Sequence, residues 1–411
     1  MSQRSAPDWM QPAALVRAWD ELMASRASAR RNPPPRGVDG MGPAAFEARK
    51  LHHCAEVSRI LLRPGESAPT AYRFAPLVEH ERETEPGKIR RVYIPRIRDQ
   101  VVLRCVYQNL ANAMRADGLR GSLENPQAVV RKVIHSRQRG HPFAARLDVR
   151  GFYDSVDHSV LSGLVAGLPL DEVSASLLTQ LVCETPHRPF RGTRDDNTHR
   201  SLGLPTGTSV STLLAELYLR SMDAAAATLT DIDAHRFVDD VVLLGSDEAS
   251  LQQAVRTLAD AAQELQLELH GNKTHFSSFA RGFDFLGFRF ESTRLLVASD
   301  RIHKWKRRFE TLQRSTLRAH ADVSPQAQLK AVTDVFHREI SSSGSRHIGY
   351  YAIADDLSVY QEVDRYLSRV LGGLARRAKV PLELESCHAW AWRYKKDPEA
   401  AAILARARFP I

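Results

Sequence analysis

Cysteine is scarce in this chain, and long apolar runs are missing. The 411 residues include only four cysteines, and no two of them form a Cys-x-x-Cys pair. Because the observed spacing of the four cysteines fits none of the usual structural zinc sites, we expect reduced and mostly buried thiols. No apolar stretch reaches the roughly 20 residues that span a bilayer, and no apolar segment of a secretory signal follows Met1. We therefore expect a protein of the cytoplasm that does not enter a membrane.

The charge balance is basic. Lys and Arg number 57 against 48 Asp and Glu, which gives a net charge of +9 at pH 7. A basic surface favours a polyanionic partner, although a basic soluble protein without such a partner shows the same balance. At this length the chain can bury a large core, and we expect two or three subdomains.

A basic run at residues 301 to 318 has the spacing of an amphipathic helix. Trp305 and Phe309 are four residues apart, so they share one face of the predicted helix. We predict that these rings pack inward and that the cations contact nucleic acid, while a merely solvated face stays the alternative. The cations of this prediction are Arg301, Lys304, Lys306, Arg307 and Arg308.

Two adjacent carboxylates, Asp239 and Asp240, interrupt an apolar segment that runs from Phe237 to residue 244. A tight hairpin turn would present both acids at one tip, either as a solvated turn or as a metal site. A further acid, Asp148, ends a predicted buried strand that begins near Phe143. A strand-end acid that faces a hairpin-tip pair is the arrangement that two Mg²⁺ ions need. For Asp240, a purely structural role in the turn is the alternative.

Helical periodicity and turn residues organise the rest of the chain. Apolar spacing predicts helices over residues 13–31, 99–117 and 250–266, and a polar loop or hairpin over 185–202. Asp154 or Ser155 is predicted to cap the helix that follows Asp148. Ser211 or Thr212 is predicted to cap the helix that follows a Gly-x-Pro-x-Gly loop at residues 203–207.

In this order, these segments resemble the palm of a reverse transcriptase. Asp148 matches the first acid of the family's motif A, residues 203–216 match motif B, and residues 237–240 match the aromatic-x-Asp-Asp form of motif C. Residues 267–274 and 283–288 resemble motifs D and E, and residues 87–102 resemble the fingers. Residues 36–46 resemble the N-terminal extension of group II intron enzymes, and the last 110 residues more weakly resemble their thumb.

The resemblance implies an α+β fold with right-hand polymerase architecture: fingers, a palm of antiparallel sheet plus helices, and a helical thumb. The implied domains are residues 1–145 for the N-terminal extension and fingers, 146–292 for the palm, and 293–411 for the thumb and tail. Residues 160–200 are expected to belong to the palm or to pack with the fingers.

The resemblance also implies a catalytic centre. Two Mg²⁺ ions would be held by Asp148, Asp239 and Asp240 together with the backbone of Val149. Lys273 would be the general acid that protonates the pyrophosphate leaving group.

The same resemblance implies a nucleotide pocket. Tyr153 occupies the position at which the family places a bulky side chain under the sugar, so it would select dNTPs; the alternative is a core aromatic. The other implied substrate-binding residues are Lys88, Arg90, Arg91, Pro205, Thr206 and Gly207.

Three positions depart from the family pattern. Thr206 replaces a common glutamine, Thr212 a proline and Glu216 an asparagine. The segment from Leu214 to Leu219 resembles the bacterial antiphage-defence and abortive-infection branch. This implies a DNA polymerase that adds dNTPs in antiphage defence, with an intron-type RNA-binding maturase, a template-independent nucleotidyl transferase and a catalytically silent nucleic-acid-binding protein as alternatives. The implied partners are dNTPs, an RNA template such as a structured non-coding RNA, the DNA product, a partner defence protein and a second copy of the chain.

Overall fold

Helices alternate with short strands along most of the chain in this computed structural model. It describes residues 7–28, 36–66, 68–85, 88–270, 274–341, 348–382 and 386–397. The helices are α1 (Pro12–Ser28), α2 (Pro43–Glu47), α3 (Lys50–Leu61), α4 (Ile97–Ala116), α5 (Pro126–Gln138), α6 (Phe152–Ser155), α7 (His158–Ala166), α8 (Glu172–Thr179), α9 (Ser211–Tyr218), α10 (Arg220–Ala227), α11 (Glu248–Glu264), α12 (Ser299–Ala319), α13 (Pro325–Ser341), α14 (Ile348–Tyr351), α15 (Val359–Ala378) and α16 (Cys387–Lys396). The strands are β1 (Leu77–Glu85), β2 (Lys88–Ile94), β3 (Phe143–Asp148), β4 (His187–Pro189), β5 (Ile232–Phe237), β6 (Asp240–Gly245), β7 (His275–Ser278), β8 (Phe283–Phe285), β9 (Phe288–Glu291) and β10 (Arg294–Val297).

The chain divides into two compact units. The first contains residues 1–125 and 145–275, and the second contains residues 126–144 and 276–411. Strand β3 therefore begins in the second unit and ends in the first. The boundaries expected for fingers, palm and thumb stay a prediction.

Helix α4 is the most buried helix of the first half of the chain. It packs against α1, α3, α8 and α9, and its apolar face, which includes Val102, Val106 and Leu110, is buried. Leu15 and Trp19 of α1 are fully buried as well. The predicted helices 99–117 and 250–266 are confirmed as α4 and α11, apart from small shifts at their ends. The predicted helix 13–31 is confirmed as α1 up to Ser28, and its residues 29–31 lie outside the described residues.

Two small sheets contain β2 and both predicted acid segments. Strands β1 and β2 form an antiparallel hairpin, and the short strand β4 lies parallel to β1 on its other side. Strands β5 and β6 form a second antiparallel hairpin, and β6 is also hydrogen-bonded to β3. The order of that sheet is β5-β6-β3-β7. Because β3 and β6 are neighbours, both predicted acid segments belong to one sheet.

Helix caps differ from the prediction at two places. Asp157, rather than Asp154 or Ser155, caps α7, because its carboxylate accepts hydrogen bonds from the backbone of the first helical turn. Helix α9 begins at Ser211 itself and has no side-chain cap. The Ser211 hydroxyl instead donates to the Pro205 carbonyl at 2.7 Å and so fastens the preceding loop to the helix.

The second unit contains the antiparallel strands β8, β9 and β10 and the long helices α12, α13, α15 and α16. Trp305 of α12 stacks on Tyr360 with ring centroids 5.3 Å apart, and Phe309 meets Phe336 edge-on at 4.9 Å. Both α12 rings are buried. The predicted inward packing of these aromatics is confirmed.

The four cysteines are free thiols, and three of them are buried. Among the helices that the structure describes, none is long and apolar enough to cross a membrane.

Candidate active site

A two-residue turn joins β5 to β6 and carries Asp239. Phe237 and Asp240 pair across the hairpin, so Val238 and Asp239 form its tip. Val238 is 8% exposed and has a φ of +55°, a value that β-branched residues rarely adopt. The predicted hairpin is confirmed, and it has an unusual backbone conformation directly beside Asp239.

The Asp239 carboxylate is close enough to the other two predicted acids to feel their charges. Burial, together with the negative charges of Asp240 and Asp148, raises the pKa of Asp239 to about 6. Asp148 lies at the end of β3, the strand next to β6. Acids 91 residues apart in the chain are thus brought to one end of the sheet.

Asp240 has a cationic neighbour that sequence reasoning missed. The Arg146 guanidinium lies 3.7 Å from the Asp240 carboxylate, and both side chains are about 38% exposed. Arg146 precedes Asp148 by two residues in β3, so both side chains project from the same face of the strand. This alternation was the one signal in the sequence that could have revealed the pair.

These acids do not form a closed metal cage. Within the described ranges, no group of three or more His, Cys, Asp or Glu side chains is arranged to hold a metal ion. Mg²⁺ is usually bound by one or two carboxylates and completes its coordination with water and substrate phosphates. The carboxylates of Asp240 and Asp148 repel the charge of Asp239, and a bound cation would relieve this repulsion. The donor chemistry therefore fits a divalent ion held by an open set of carboxylates.

Tyr153 and Arg90 lie near the segment from Val238 to Asp240, which we call the acidic turn. Burial raises the pKa of Tyr153 to about 12, and the Asp239 charge contributes in the same direction, while a hydrogen bond with Thr212 opposes it. The Arg90 cation opposes the upward shifts of both Tyr153 and Asp239. The aromatic and the arginine predicted for the nucleotide pocket are thus both electrostatically coupled to the predicted catalytic acid.

Arg91 lies on the opposite face of β2 from Arg90, because successive strand residues alternate. Its guanidinium lies 3.3 Å from Glu79 and 3.4 Å from Glu81, two acids of β1. Of the two adjacent arginines, Arg90 is the one coupled to Asp239 and Tyr153.

The Gly-x-Pro-x-Gly loop is fastened to β2 and to α6. The Thr206 carbonyl accepts a hydrogen bond from the Tyr93 amide at 2.7 Å, and the Thr206 hydroxyl donates to the Arg91 carbonyl. Gly207, at φ +99°, lies so near β2 that a Cβ would come within 2.6 Å of Val92. Gly203, at φ +89°, would bring a Cβ within 2.8 Å of the Tyr153 carbonyl oxygen. Both glycines are required for this close packing.

The segment that resembles motif D reaches the backbone of Asp148. The His270 amide donates to the Asp148 carbonyl at 2.9 Å, and Val149 and Leu269 form an isolated antiparallel bridge. Lys273 lies outside the described residues, as does the side chain of Lys88. Their predicted roles stay predictions.

Comparison with known families decides the identity of this fold. The family model described as reverse transcriptase (RNA-dependent DNA polymerase) matches residues 80–290. This range includes strand β2 and the acids Asp148, Asp239 and Asp240. The chain belongs to the reverse transcriptase family. The predicted α+β fold class with right-hand polymerase architecture is confirmed, and the predicted enzyme class, an RNA-directed DNA polymerase, is that of the family.

Solved structures similar to this reverse transcriptase include yeast telomerases. Apo telomerase from Candida tropicalis is 10% identical, with a TM-score of 0.47 over 90% of this chain and 68% of that one. Telomerase from the same organism in complex with the TWJ fragment of telomeric RNA is 13% identical, with a TM-score of 0.47 over 82% and 59%. A C-terminally truncated form is 14% identical, with a TM-score of 0.45 over 55% of each chain. The reverse transcriptase thus spans between about half and two thirds of these telomerase chains. A search of curated protein sequences finds no significant match.

In the second unit of this reverse transcriptase, most of the cations predicted to bind nucleic acid have acidic neighbours. Lys306 contacts Glu362 of α15 at 2.6 Å, and Arg308 contacts Glu339 of α13 at 3.2 Å. Lys304 and Arg301 lie 3.0 and 3.5 Å from Asp300. The exposed Arg307 has no acidic group within 4.0 Å among the described residues. Acids of α12 itself and of the neighbouring helices α13 and α15 therefore offset cationic charges that the sequence alone presents as available.

Proposed function

We propose that this reverse transcriptase adds dNTPs to a primer 3′-hydroxyl, with an RNA strand as template. The observation that carries the proposal is that Asp148, Asp239 and Asp240 lie at the end of β3, in the β5–β6 turn and at the start of β6, on neighbouring strands of one sheet. The Arg90 and Tyr153 side chains lie near enough to interact with the Asp239 charge. A carboxylate cluster next to a cation and an aromatic ring supplies three things that this reaction requires. These are ligands for the metal ions, a hydrogen-bond donor for the phosphates and a surface for the sugar.

The acids are proposed to hold two Mg²⁺ ions. Asp148, Asp239 and the main chain of Val149 would bind them, and Asp240 would add charge and ligation. Such a pair of ions activates an attacking oxygen and stabilises a leaving one in phosphoryl transfer. The Arg146 guanidinium, 3.7 Å from the Asp240 carboxylate, would offset part of the negative charge of that acid.

Other side chains are proposed to position the nucleotide. Arg90, with Lys88, would donate charge-assisted hydrogen bonds to the β- and γ-phosphates. The Tyr153 ring would lie under the sugar and exclude a ribose 2′-hydroxyl. Lys273 would protonate the leaving pyrophosphate, which a lysine can do when it is held close to the departing oxygen.

Further assignments belong to the same proposal. The loop residues Pro205, Thr206 and Gly207 would line the nucleotide pocket, since the loop packs between β2 and α6. The resemblance of residues 214–219, which include Glu216, to the antiphage-defence branch supports a role in bacterial antiphage defence. We further propose that the enzyme acts in the cytoplasm, together with a structured RNA and a partner protein. A second copy of the chain is a further proposed partner.

A template-independent nucleotidyl transferase is the second candidate function. The Thr206 hydroxyl, at the position where the family commonly has glutamine, donates to a backbone carbonyl of β2. A short side chain that is bound to the protein in this way leaves fewer contacts for a templating base.

Primer extension separates these functions. The purified chain is given each dNTP with Mg²⁺, either on poly(rA) primed with oligo(dT) or with the primer alone, and the products are sequenced. Incorporation of dTMP that depends on poly(rA) supports RNA-templated synthesis. Equal incorporation with and without poly(rA) supports the second candidate, and no incorporation in any mixture contradicts both.

A further inference from the structure

The acid that departs from the family's motif B, Glu216, has a buried partner. Both Glu216 carboxylate oxygens accept hydrogen bonds from Arg236, at 3.0 and 3.1 Å. The two side chains are 6% and 7% exposed. On the other edge of the guanidinium, Asp223 accepts from Nε at 2.7 Å. Glu216 lies in α9 and Arg236 in β5, so the pair joins the motif B helix to the hairpin of the acidic turn.

The same guanidinium also reaches the tip of that hairpin. Arg236 Nη1 donates to the Val238 carbonyl at 3.0 Å, in addition to its bond with Glu216. Val238 is the buried valine in the left-handed region, and Asp239 follows it directly. A strained backbone of this kind persists only where neighbouring groups hold it. Arg236 is such a group, and Glu216 fixes the orientation of its planar fork.

We propose that Glu216 and Arg236 are positioning residues, which hold the turn so that the Asp239 carboxylate stays directed at the reacting groups. The inference rests on the proposed function, since it assigns Asp239 to catalysis. Glu216 would therefore not contact substrate. It would compensate the charge of the arginine that fastens the turn.

Stability alone is a weak reason for such a pair. Burying two charges costs desolvation energy, and replacement of a buried ion pair by apolar residues of similar size is often neutral for folding. Removal of one partner is destabilising, because the other charge stays buried without compensation. If the pair acts by fixing the geometry of the turn, replacement of both members by apolar residues should lower activity and leave stability nearly unchanged.

The test is the double variant Glu216→Leu/Arg236→Met, compared with wild type on poly(rA) primed with oligo(dT). We expect its melting temperature to lie near that of wild type, and its kcat to fall by roughly 10- to 100-fold because the turn is no longer held. The KM for dTTP should change by less than about threefold, since the phosphate-binding arginine is untouched. The single variant Glu216→Gln keeps the shape of the side chain, and we expect it to lose roughly tenfold in kcat.

Arg220→Met is the matched control. Arg220 belongs to a more exposed ion pair with Asp117, at 3.3 Å on the same unit, and we expect wild-type kcat. A folded double variant with wild-type kcat, or a fully active Glu216→Gln if the double variant does not fold, would overturn the positioning role and leave the proposed function standing. A wild type that makes no DNA would instead overturn the proposed function.

Discussion

At the scale of single residues, the acidic turn combines like charges with partial burial. Asp239 has a pKa near 6 because it is desolvated and because Asp240 and Asp148 add negative charge. A carboxylate of this kind is ionised at neutral pH only at a cost to the metal-free fold. Functional sites commonly accept such a cost, since the same charges bind the cation that the reaction needs.

The first prediction concerns this cost. Asp239→Asn should stabilise the metal-free protein at pH 8 by on the order of 1 to 3 kcal/mol, because it removes the charge that the fold disfavours. The folded pKa, about 6, lies above the ordinary value of 3.8. The penalty on the wild type is therefore complete above pH 6 and fades as the pH falls toward 4, where the two proteins should unfold alike.

Thermal unfolding in the presence of a chelator measures this difference. Asp260→Asn, which removes an exposed aspartate from α11, is the control and should leave stability unchanged. A variant at position 239 that is less stable than wild type at pH 8 would contradict the penalty that burial and neighbouring carboxylates place on the Asp239 charge.

Tyr153 gives the second prediction. The side chain is half-buried, and its pKa is raised by burial and by the Asp239 charge. Tyr153→Ala should reduce discrimination against rNTPs by roughly 10- to 100-fold, because it opens space for a 2′-hydroxyl. Tyr153→Phe keeps the ring and should retain the discrimination. The ratio of kcat/KM for dTTP to that for UTP measures the effect, and an unchanged ratio in the alanine variant would assign Tyr153 to the core.

At the scale of elements, the motif B loop acts as a connector. Gly203 packs against α6, and Gly207 packs against β2. Thr206 adds two hydrogen bonds to β2. The position of Arg90 relative to the acids therefore depends on this loop, although no side chain of the loop needs to touch the reacting atoms.

Helix α12 gives the third prediction. Arg307→Gln should reduce the salt slope of binding to single-stranded RNA by about 0.7, because this exposed cation is available for a phosphate. Lys306→Gln is the matched control and should change the slope less, since Glu362 lies 2.6 Å from its ammonium group. Affinity for a uridine oligonucleotide, measured at several salt concentrations, gives both slopes. Equal slopes in wild type and Arg307→Gln would identify this face of α12 as merely solvated.

At the scale of the whole molecule, most of the fold could be predicted from the sequence. Ordered acid motifs predicted the family, and the 3.6-residue period predicted α1, α4 and α11 within a few residues. The hairpin of Phe237 to Asp240 followed from its flanking apolar runs. These features depend on residues that are close together in the chain, so they can be recognised from one sequence alone.

Long-range pairs of charged side chains were not predictable in the same way. Arg146 meets Asp240, and Arg236 meets Glu216, only because strands and helices bring distant residues together. The acids that neutralise Lys306 and Arg308 come from other helices for the same reason. The N-cap of α7 was misassigned because several neighbouring residues could serve, and Asp157 is the one whose carboxylate reaches the first turn. The Ser211 hydroxyl does not cap α9 because it bonds to the Pro205 carbonyl of the preceding loop.

The most direct test of the account is Mg²⁺-dependent dNTP incorporation by wild type and Asp239→Asn on primed RNA, with thermal unfolding as the check that the variant is folded. We predict incorporation by the wild type that stops when Mg²⁺ is removed. The folded variant should lose at least about 100-fold in rate, or ~2.7 kcal/mol of transition-state stabilisation. Equal incorporation by the two proteins would contradict the assignment of catalysis to the acidic turn.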